Sequence, residues 1–455
     1  MKELFRKLLH RGGVNRAVFF SLATQVTRLV TGPIAMLMMI RHLTPEMQGY
    51  YYAFYGVVAL QVFLEMGFSQ NIVQFASHEF AKLRFTDDGR LEGDPASLSR
   101  LISLGRLAFM YYTVAAVLFL AAVGTGGYFF FKSSVTTGLP WQWVWWTLII
   151  ASAGALVINP AWSFLEGCNQ VWRVARFRFW QSLGLFAVNV CSLAAGFGLF
   201  TATAIAWATL LSSLAYIAFA WGKFFRQFRG APTHERISWA REIWPFQWRI
   251  AVSWMSGYMT FEATAPVAFR YCGAMEAGKL GMTLQLLRMI SGAASSWLNV
   301  RVPVFGILVA SRDWIQFDLL WRRSTVQAIG VYLLGLCCLP VGVRLLTYFI
   351  PAFPDRIADW KVFLALAIGM MAHLLMAAMA FELRAHKREP YMVTAVCCAI
   401  TSVLLMVPFA KFWGIHGQSI GYGTAALLSL PPALWIYLVK RCEYRTPQPR
   451  NLQHP

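Results

Sequence analysis

The sequence predicts an all-α integral membrane protein of about twelve transmembrane helices, arranged as two six-helix bundles around a central cavity. Three observations predict it. Of 455 residues, 58% are hydrophobic and only 13% are charged, against roughly 25% charged in a soluble domain. Apolar stretches of about 20 residues, the length that crosses a hydrocarbon core about 30 Å thick, recur along the chain. The longest polar connections are Ser77 to Arg106 and Gly222 to Arg249, and the second divides the apolar stretches six and six.

The first six spans run approximately Ala17 to Ile40, Gly49 to Phe75, Leu107 to Phe131, Trp143 to Leu165, Phe179 to Phe200 and Ala202 to Trp221. The second six run Ile250 to Phe269, Leu280 to Val300, Val326 to Ile350, Val362 to Phe381, Tyr391 to Ala410 and Gly417 to Val439. The expected organisation is therefore an amino-terminal bundle over 1–221, a basic linker over 222–249, a carboxy-terminal bundle over 250–439 and a tail over 440–455. The segment before Ala17 is basic, but the apolar stretch after it is too long for a signal-peptide core and ends in no small-residue cleavage site. It is expected to remain as the first span.

Lys and Arg exceed Asp and Glu by 20, which in a soluble protein would suggest nucleic acid. Their positions argue otherwise. With the amino terminus inside, 30 of the 40 basic residues fall in inside segments and seven in outside loops, while Arg28, Arg288 and Arg344 lie within spans. That asymmetry over short loops is the positive-inside rule, and it places both termini in the cytoplasm. No nucleic-acid partner is expected. The eight cysteines lie mostly inside spans and form neither a disulfide framework nor a metal spacing.

Arg28 sits near the middle of the first span and Arg288 within the eighth. An arginine at the centre of a membrane helix costs about 2.5–3.5 kcal/mol on insertion scales and more in simulation, so it should face a cavity or a partner. At helical spacing Ser21, Thr24, Gln25, Arg28, Thr31 and Gly32 share a face of the first span, and Gly281, Gln285, Arg288, Ser291, Gly292, Ser295 and Asn299 share one of the eighth. Guanidinium presents a planar fork that matches phosphate or carboxylate oxygens. An anionic ligand is one reading of the two arginines. The other is an internal ion pair, since Glu65 in span two, with Gln61 one turn away, and Glu262 in span seven are available, as are Glu166 and Glu382 near inner ends. Asn159 gives span four a polar face of its own. The tryptophans at 141, 143, 145 and 146 are read mainly as interfacial anchors.

Thr31-Gly32-Pro33-Ile34-Ala35 in span one and Thr264-Ala265-Pro266-Val267-Ala268 in span seven suggest that the halves are related, as in many transporters. Proline removes a helical hydrogen bond, so Pro33 and Pro266 are candidate bending points. Gly273 to Leu280 nearly spells a phosphate-binding loop, but Leu280 replaces the required Ser or Thr and no strand precedes it. No cofactor is expected, and the short outside loops disfavour an enzyme.

The segment Val30 to Tyr51, followed by Leu60-Gln-Val-Phe-Leu-Glu65-Met-Gly67, resembles the start of polysaccharide-biosynthesis membrane proteins. These are the O-antigen-flippase-like members of the multidrug/oligosaccharidyl-lipid/polysaccharide (MOP) exporter superfamily. Glu276-Ala-Gly278-Lys279-Leu-Gly281-Met-Thr283-Leu-Gln285 is similar to that family's pattern at the start of its second half. An arginine in span one with another in span eight also resembles the lipid II flippases of the superfamily, whose cationic cavity is held to receive a lipid diphosphate. The resemblance implies a multi-pass protein of the cytoplasmic (inner) membrane that moves a polyprenyl-diphosphate-linked glycan among membrane lipids by alternating access. Arg28 and Arg288 would hold the diphosphate or acidic sugars, and Gln25, Gln61 and Gln285 would contact sugar hydroxyls. Glu65 or Glu262 would carry a coupling proton or act as a counter-ion. A polysaccharide polymerase and glycosyltransferases would be partners. A cation-coupled multidrug antiporter of the same superfamily and a membrane-embedded glycan polymerase or ligase are the alternatives, and the paired arginines weigh against the first.

Overall fold

The structure is a computed structural model that describes residues 16–86, 88–133, 138–230, 235–386 and 391–445. The basic residues before Arg16 and the tail beyond Arg445 lie outside the described residues. The chain divides into two compact units, 1–255 and 256–455.

In the first unit α1 (Arg16–His42) is followed by the short run α2 (Pro45–Val58), α3 (Gln61–Glu65) and α4 (Phe68–Phe80). A two-stranded antiparallel hairpin, Leu83–Phe85 with Leu91–Gly93, then leads into α5 (Pro95–Leu118) and α6 (Thr125–Lys132). After these come α7 (Trp141–Gly167), α8 (Val171–Ala194) and α9 (Phe200–Gln227). α7 is the centre, because α4, α5 and α9 all pack on it. A helix apolar on all sides belongs inside a bundle, and most of α7 is buried. α1 packs along α8, with Phe20 and Phe179 ring centroids 5.9 Å apart.

Tryptophans expected at the interface turn out to be divided between core and surface. Trp145 is fully buried and Trp141 nearly so, packed with Tyr50, Phe54 and Phe131, whereas Trp143 is exposed. A π-helical turn, Phe119–Gly124, joins α5 to α6. Such a turn breaks the regular bonding ladder, and the Trp145 indole N–H donates to the Gly124 carbonyl at 2.8 Å.

Span two is a single predicted stretch but three helical pieces in the structure. Met66 and Gly67 both take left-handed backbone, φ 49° and 65°, and the helices on either side are bent by 46°. Glycine is required at the second position, since a Cβ there would lie 2.3 Å from Ile250 Cγ2 in a conformation that L side chains avoid.

The 222–249 segment folds against the first unit. Gln227 pairs with the Leu91 backbone in both directions, accepting at 2.9 Å and donating at 3.3 Å. The Ile237 N–H donates to Ser103 Oγ at 2.8 Å, and Arg100 bridges Glu79 at 2.8 Å and Glu242 at 2.7 Å.

The second unit holds α10 (Trp244–Gly257) only by its last residues. A π-helical turn (Tyr258–Glu262) follows, then α11 (Thr264–Cys272), α12 (Ala274–Asn299), α13 (Val302–Ser311), α14 (Trp314–Phe349), α15 (Trp360–Ala385) and α16 (Met392–Arg445). α16 is two helices folded into a hairpin. Trp413 and Gly414 leave helical geometry there, with Gly414 at φ 61°, and Tyr391 Oη donates to the Ala433 carbonyl at 3.0 Å across the pair. Gly417 and Gly421 let the backbones touch, since a Cβ at residue 417 would lie 2.2 Å from the Phe409 carbonyl oxygen, the small-residue contact that membrane helix pairs use.

Each of the twelve predicted spans falls on helix. Among the described residues eight helices are individually long and apolar enough to cross a bilayer, and the bent α2–α4 run would be a ninth. α16 counts once there but contains two spans. The remaining two are α8, which carries Arg173, Arg176 and Arg178 in its first turns, and the broken α10–α11 pair.

Candidate functional site

Ionisable groups inside membrane helices are the functional candidates by default, and each unit has such a centre.

In the first unit the centre is Glu65, the last residue of α3, set by the left-handed turn that follows it. It is 7% exposed. Its Oε1 accepts from Asn159 Nδ2 of α7 at 2.9 Å and from Tyr112 Oη of α5 at 3.2 Å. Phe68 stacks on the Tyr112 ring at 6.0 Å. Beside it, the Leu64 carbonyl freed by the break accepts from Tyr111 Oη at 2.8 Å. Buried Gln247 donates to the same hydroxyl at 3.5 Å and accepts from Trp239 Nε1 at 2.8 Å. The helix break is thus held by donors from α5 and α7, with Gln247 and Trp239 behind Tyr111, and among the described residues the partners of its carboxylate, Ser69 included, are neutral.

The ion pair between Arg28 and Glu65 that the sequence left open does not form. Arg28 is exposed on α1 and makes no ion pair or side-chain hydrogen bond among the described residues. Gln25 is exposed one turn before it, and Gln61 is half-buried at the start of α3. Pro33 lies inside an α1 that continues as helix on both sides, with Thr31 Oγ1 turned back to the Thr27 carbonyl at 2.9 Å.

In the second unit the centre is Arg288 on α12. Its Nη1 lies 3.2 Å from Glu262 Oε1, and its Nη2 donates to the Phe261 carbonyl at 2.6 Å. Both side chains are about 40% exposed, so the pair leaves part of the guanidinium open. Pro266 lies just beyond the π-helical turn that ends at Glu262. It has no N–H for the carbonyl one turn back, and the disturbed ladder presents the Phe261 oxygen to Arg288. Buried Gln418 donates to the Thr264 carbonyl at 2.7 Å and fixes the start of α11. Gln285 is half-buried on α12. The two proline motifs therefore sit in unlike surroundings, one in a continuous helix and one at a break.

The other carboxylates near helix ends serve structure. Glu166 pairs with Arg178 at 3.0 Å. Fully buried Glu382 takes Arg441 at 3.0 Å, Arg445 at 2.7 Å and the Tyr437 hydroxyl. No group of three or more potential metal ligands occurs among the described residues.

No family model matches the sequence, and no curated relative does. Solved structures do match, over nearly the whole chain. An inward-facing multidrug resistance MATE family transporter of the MOP superfamily superposes with a TM-score of 0.61 at 14% identity, covering 95% of this chain and 99% of that one. The fold is that of MOP transporters. The lipid II flippase MurJ, in an inward closed conformation, matches the chain with a TM-score of 0.59 at 14% identity, over 93% of this chain and 87% of that one. A third MOP superfamily transporter, from Pyrococcus furiosus and described by the reverse polarity of its binding pocket, gives 0.57 at 14% identity over 94% and 96%. In this MOP fold each unit contributes one of the two arginines singled out by sequence.

Proposed function

We propose that this chain is a flippase with the MOP fold that moves a polyprenyl-diphosphate-linked oligosaccharide across the cytoplasmic membrane. The observation that carries the reading is Arg28, a guanidinium on a membrane helix with no carboxylate among the described residues to neutralise it. A charge in that position is retained at a cost of a few kcal/mol, and a transient anionic partner is what makes it useful. Arg288, half-exposed and only partly occupied by Glu262, supplies a second cation. A diphosphate offers either of them oxygens in the geometry that guanidinium prefers, and Gln25, Gln61 and Gln285 supply amides for sugar hydroxyls. The likeness to the lipid II flippase MurJ supports a lipid-linked substrate.

The sequence contains no nucleotide-binding loop, so an ion gradient, the membrane potential or consumption of the product drives transport. The carboxylate geometry divides the remaining roles. Glu262 faces Arg288 and acts as its counter-ion, released when a phosphate takes its place. Glu65 meets Tyr112, Asn159 and Ser69, all neutral, and is the residue placed to exchange a proton.

One observation favours a second reading. A buried carboxylate with no basic partner would also suit a cation-coupled drug antiporter, and MATE transporters share the fold. Two assays on proteoliposomes separate these. Flipping of a fluorescent polyprenyl-diphosphate glycan is expected, and cationic dye efflux with no flipping would replace the flippase with the antiporter.

A further inference from the structure

Away from both membrane centres, a cavity of about 540 Å³ opens at the basic end of the first unit. It lies where the β-hairpin turn meets the start of α8 and the end of α9. Arg173, Lys223 and Arg226 line it together with Thr86, Asp88 and Trp221.

Among the described residues, cations outnumber acids in the lining of this cavity. Elsewhere in the unit, Arg178 pairs with Glu166, and Arg100 with Glu79 and Glu242. Arg173, Lys223 and Arg226 have no ion pair among the described residues, and among those residues Asp88 is the one acid in the lining. The described lining therefore carries three cations and one carboxylate. The arginine is held in place by aromatic surfaces instead, with Arg173 Cζ 5.2 Å from the Trp221 ring centre and 5.6 Å from that of Trp172. Stacking of this kind leaves the edge of a guanidinium, where its donors are, available.

The mouth is apolar. Ala218, Phe219 and Ala220 of α9 form one side of the cavity, and Phe219 is 92% exposed. A phenylalanine so exposed near the end of a membrane-spanning helix suits a contact with lipid. Arg16 and Arg176 gather over the ring of Trp172, next in the chain to Arg173, at 6.0 and 5.1 Å, an aromatic and cationic cluster suited to the headgroup region. The cavity thus joins a cationic floor to a greasy lip, at the boundary between lipid and water.

We propose that this cavity binds the phosphate of an anionic glycerophospholipid from the leaflet that meets the basic face, with an acyl chain lying along α9 past Phe219. Basic pockets between membrane helices on that side are suited to such headgroups. The bound lipid is a resident of the first unit and is distinct from the transported substrate.

The test is native mass spectrometry of the purified full-length protein titrated with dioleoylphosphatidylglycerol or dioleoylphosphatidylcholine. Wild type should retain phosphatidylglycerol preferentially. Each of Arg173→Gln, Lys223→Gln and Arg226→Gln should weaken that retention roughly fivefold, the effect of about 1 kcal/mol per cation near the surface. Arg178→Gln, outside the cavity, should leave the preference unchanged. Asp88→Asn removes the opposing charge and should strengthen retention, a change that a misfolded protein would not produce. Equal retention of the two lipids by wild type, or no loss in the Arg173, Lys223 and Arg226 variants, would overturn the site. Displacement of phosphatidylglycerol by millimolar inorganic phosphate would overturn the lipid in favour of a soluble phosphate.

Discussion

Glu65 shows most clearly what one side chain adds to this fold. Its carboxylate closes a left-handed break in a membrane helix and accepts from two neutral donors on separate helices. Glu65→Gln keeps an acceptor oxygen and the shape, so the protein should fold with a melting temperature within a few degrees of wild type, while transport loses its dependence on an imposed pH gradient. Gradient-dependent rates equal to wild type in that variant would remove Glu65 from coupling. The sequence made Glu65 visible as a polar residue in an apolar run and Asn159 visible as part of a polar face. It did not join them, because their 94 positions of separation are closed only by the packing of α4 and α5 on α7. Arg288 and Glu262 were easier to connect: they lie on successive spans of one helical hairpin, 26 residues apart. Tyr111, Tyr112 and Gln247 escaped notice altogether, since a tyrosine near a span end reads first as an interfacial anchor.

At the scale of elements, each of the twelve predicted spans lies on helix, and the breaks within them were what hydrophobic length missed. A window of apolar residues averages over a single left-handed pair such as Met66-Gly67, and no proline marks it. Gly67→Ala puts a Cβ into Ile250 and into left-handed backbone. The expected cost is about 1–2 kcal/mol for the backbone alone, read as a lower denaturation midpoint in detergent; an unchanged midpoint would contradict the built position of the break. The segment 222–249 read as a basic linker, yet its contacts are specific. Burial alone would raise the Glu242 carboxyl, but the Ser238 N–H and the Arg100 guanidinium outweigh it and hold it below the usual carboxylate range. A carboxyl lowered in this way stabilises its surroundings above its unfolded value, near 4.3, and the benefit is lost as pH falls through the folded value. Hydrogen exchange over residues 235–249 should therefore be slow at pH 7 relative to intrinsic rates and lose protection below about pH 4. Arg100→Gln should reduce that pH dependence, with the Ser238 N–H still holding part of it.

The whole molecule has the fold of MOP transporters at 14% identity to the solved structures compared. Its charge distribution carries a prediction of orientation. Cys442 is an exposed thiol near the carboxy-terminal end of α16, on the side that the 30 inside basic residues assign to the cytoplasm. A membrane-impermeant maleimide should label it in inverted vesicles and spare it in intact cells, whereas labelling in intact cells would reverse the topology. The same whole-chain view explains why the arginines were legible from the start. A charge in an apolar stretch is conspicuous in sequence, while its partner, or lack of one, emerges only when the helices are assembled. The central claim is that Arg28 and Arg288 bind a lipid-linked diphosphate during transport. The direct measurement is the rate of flipping of a labelled polyprenyl-diphosphate oligosaccharide in proteoliposomes containing wild type, Arg28→Ala or Arg288→Ala at equal reconstitution. Loss of a charge-assisted hydrogen bond, worth about 1.5–3 kcal/mol, predicts a fall of at least tenfold in each variant, and wild-type rates in both would contradict the account.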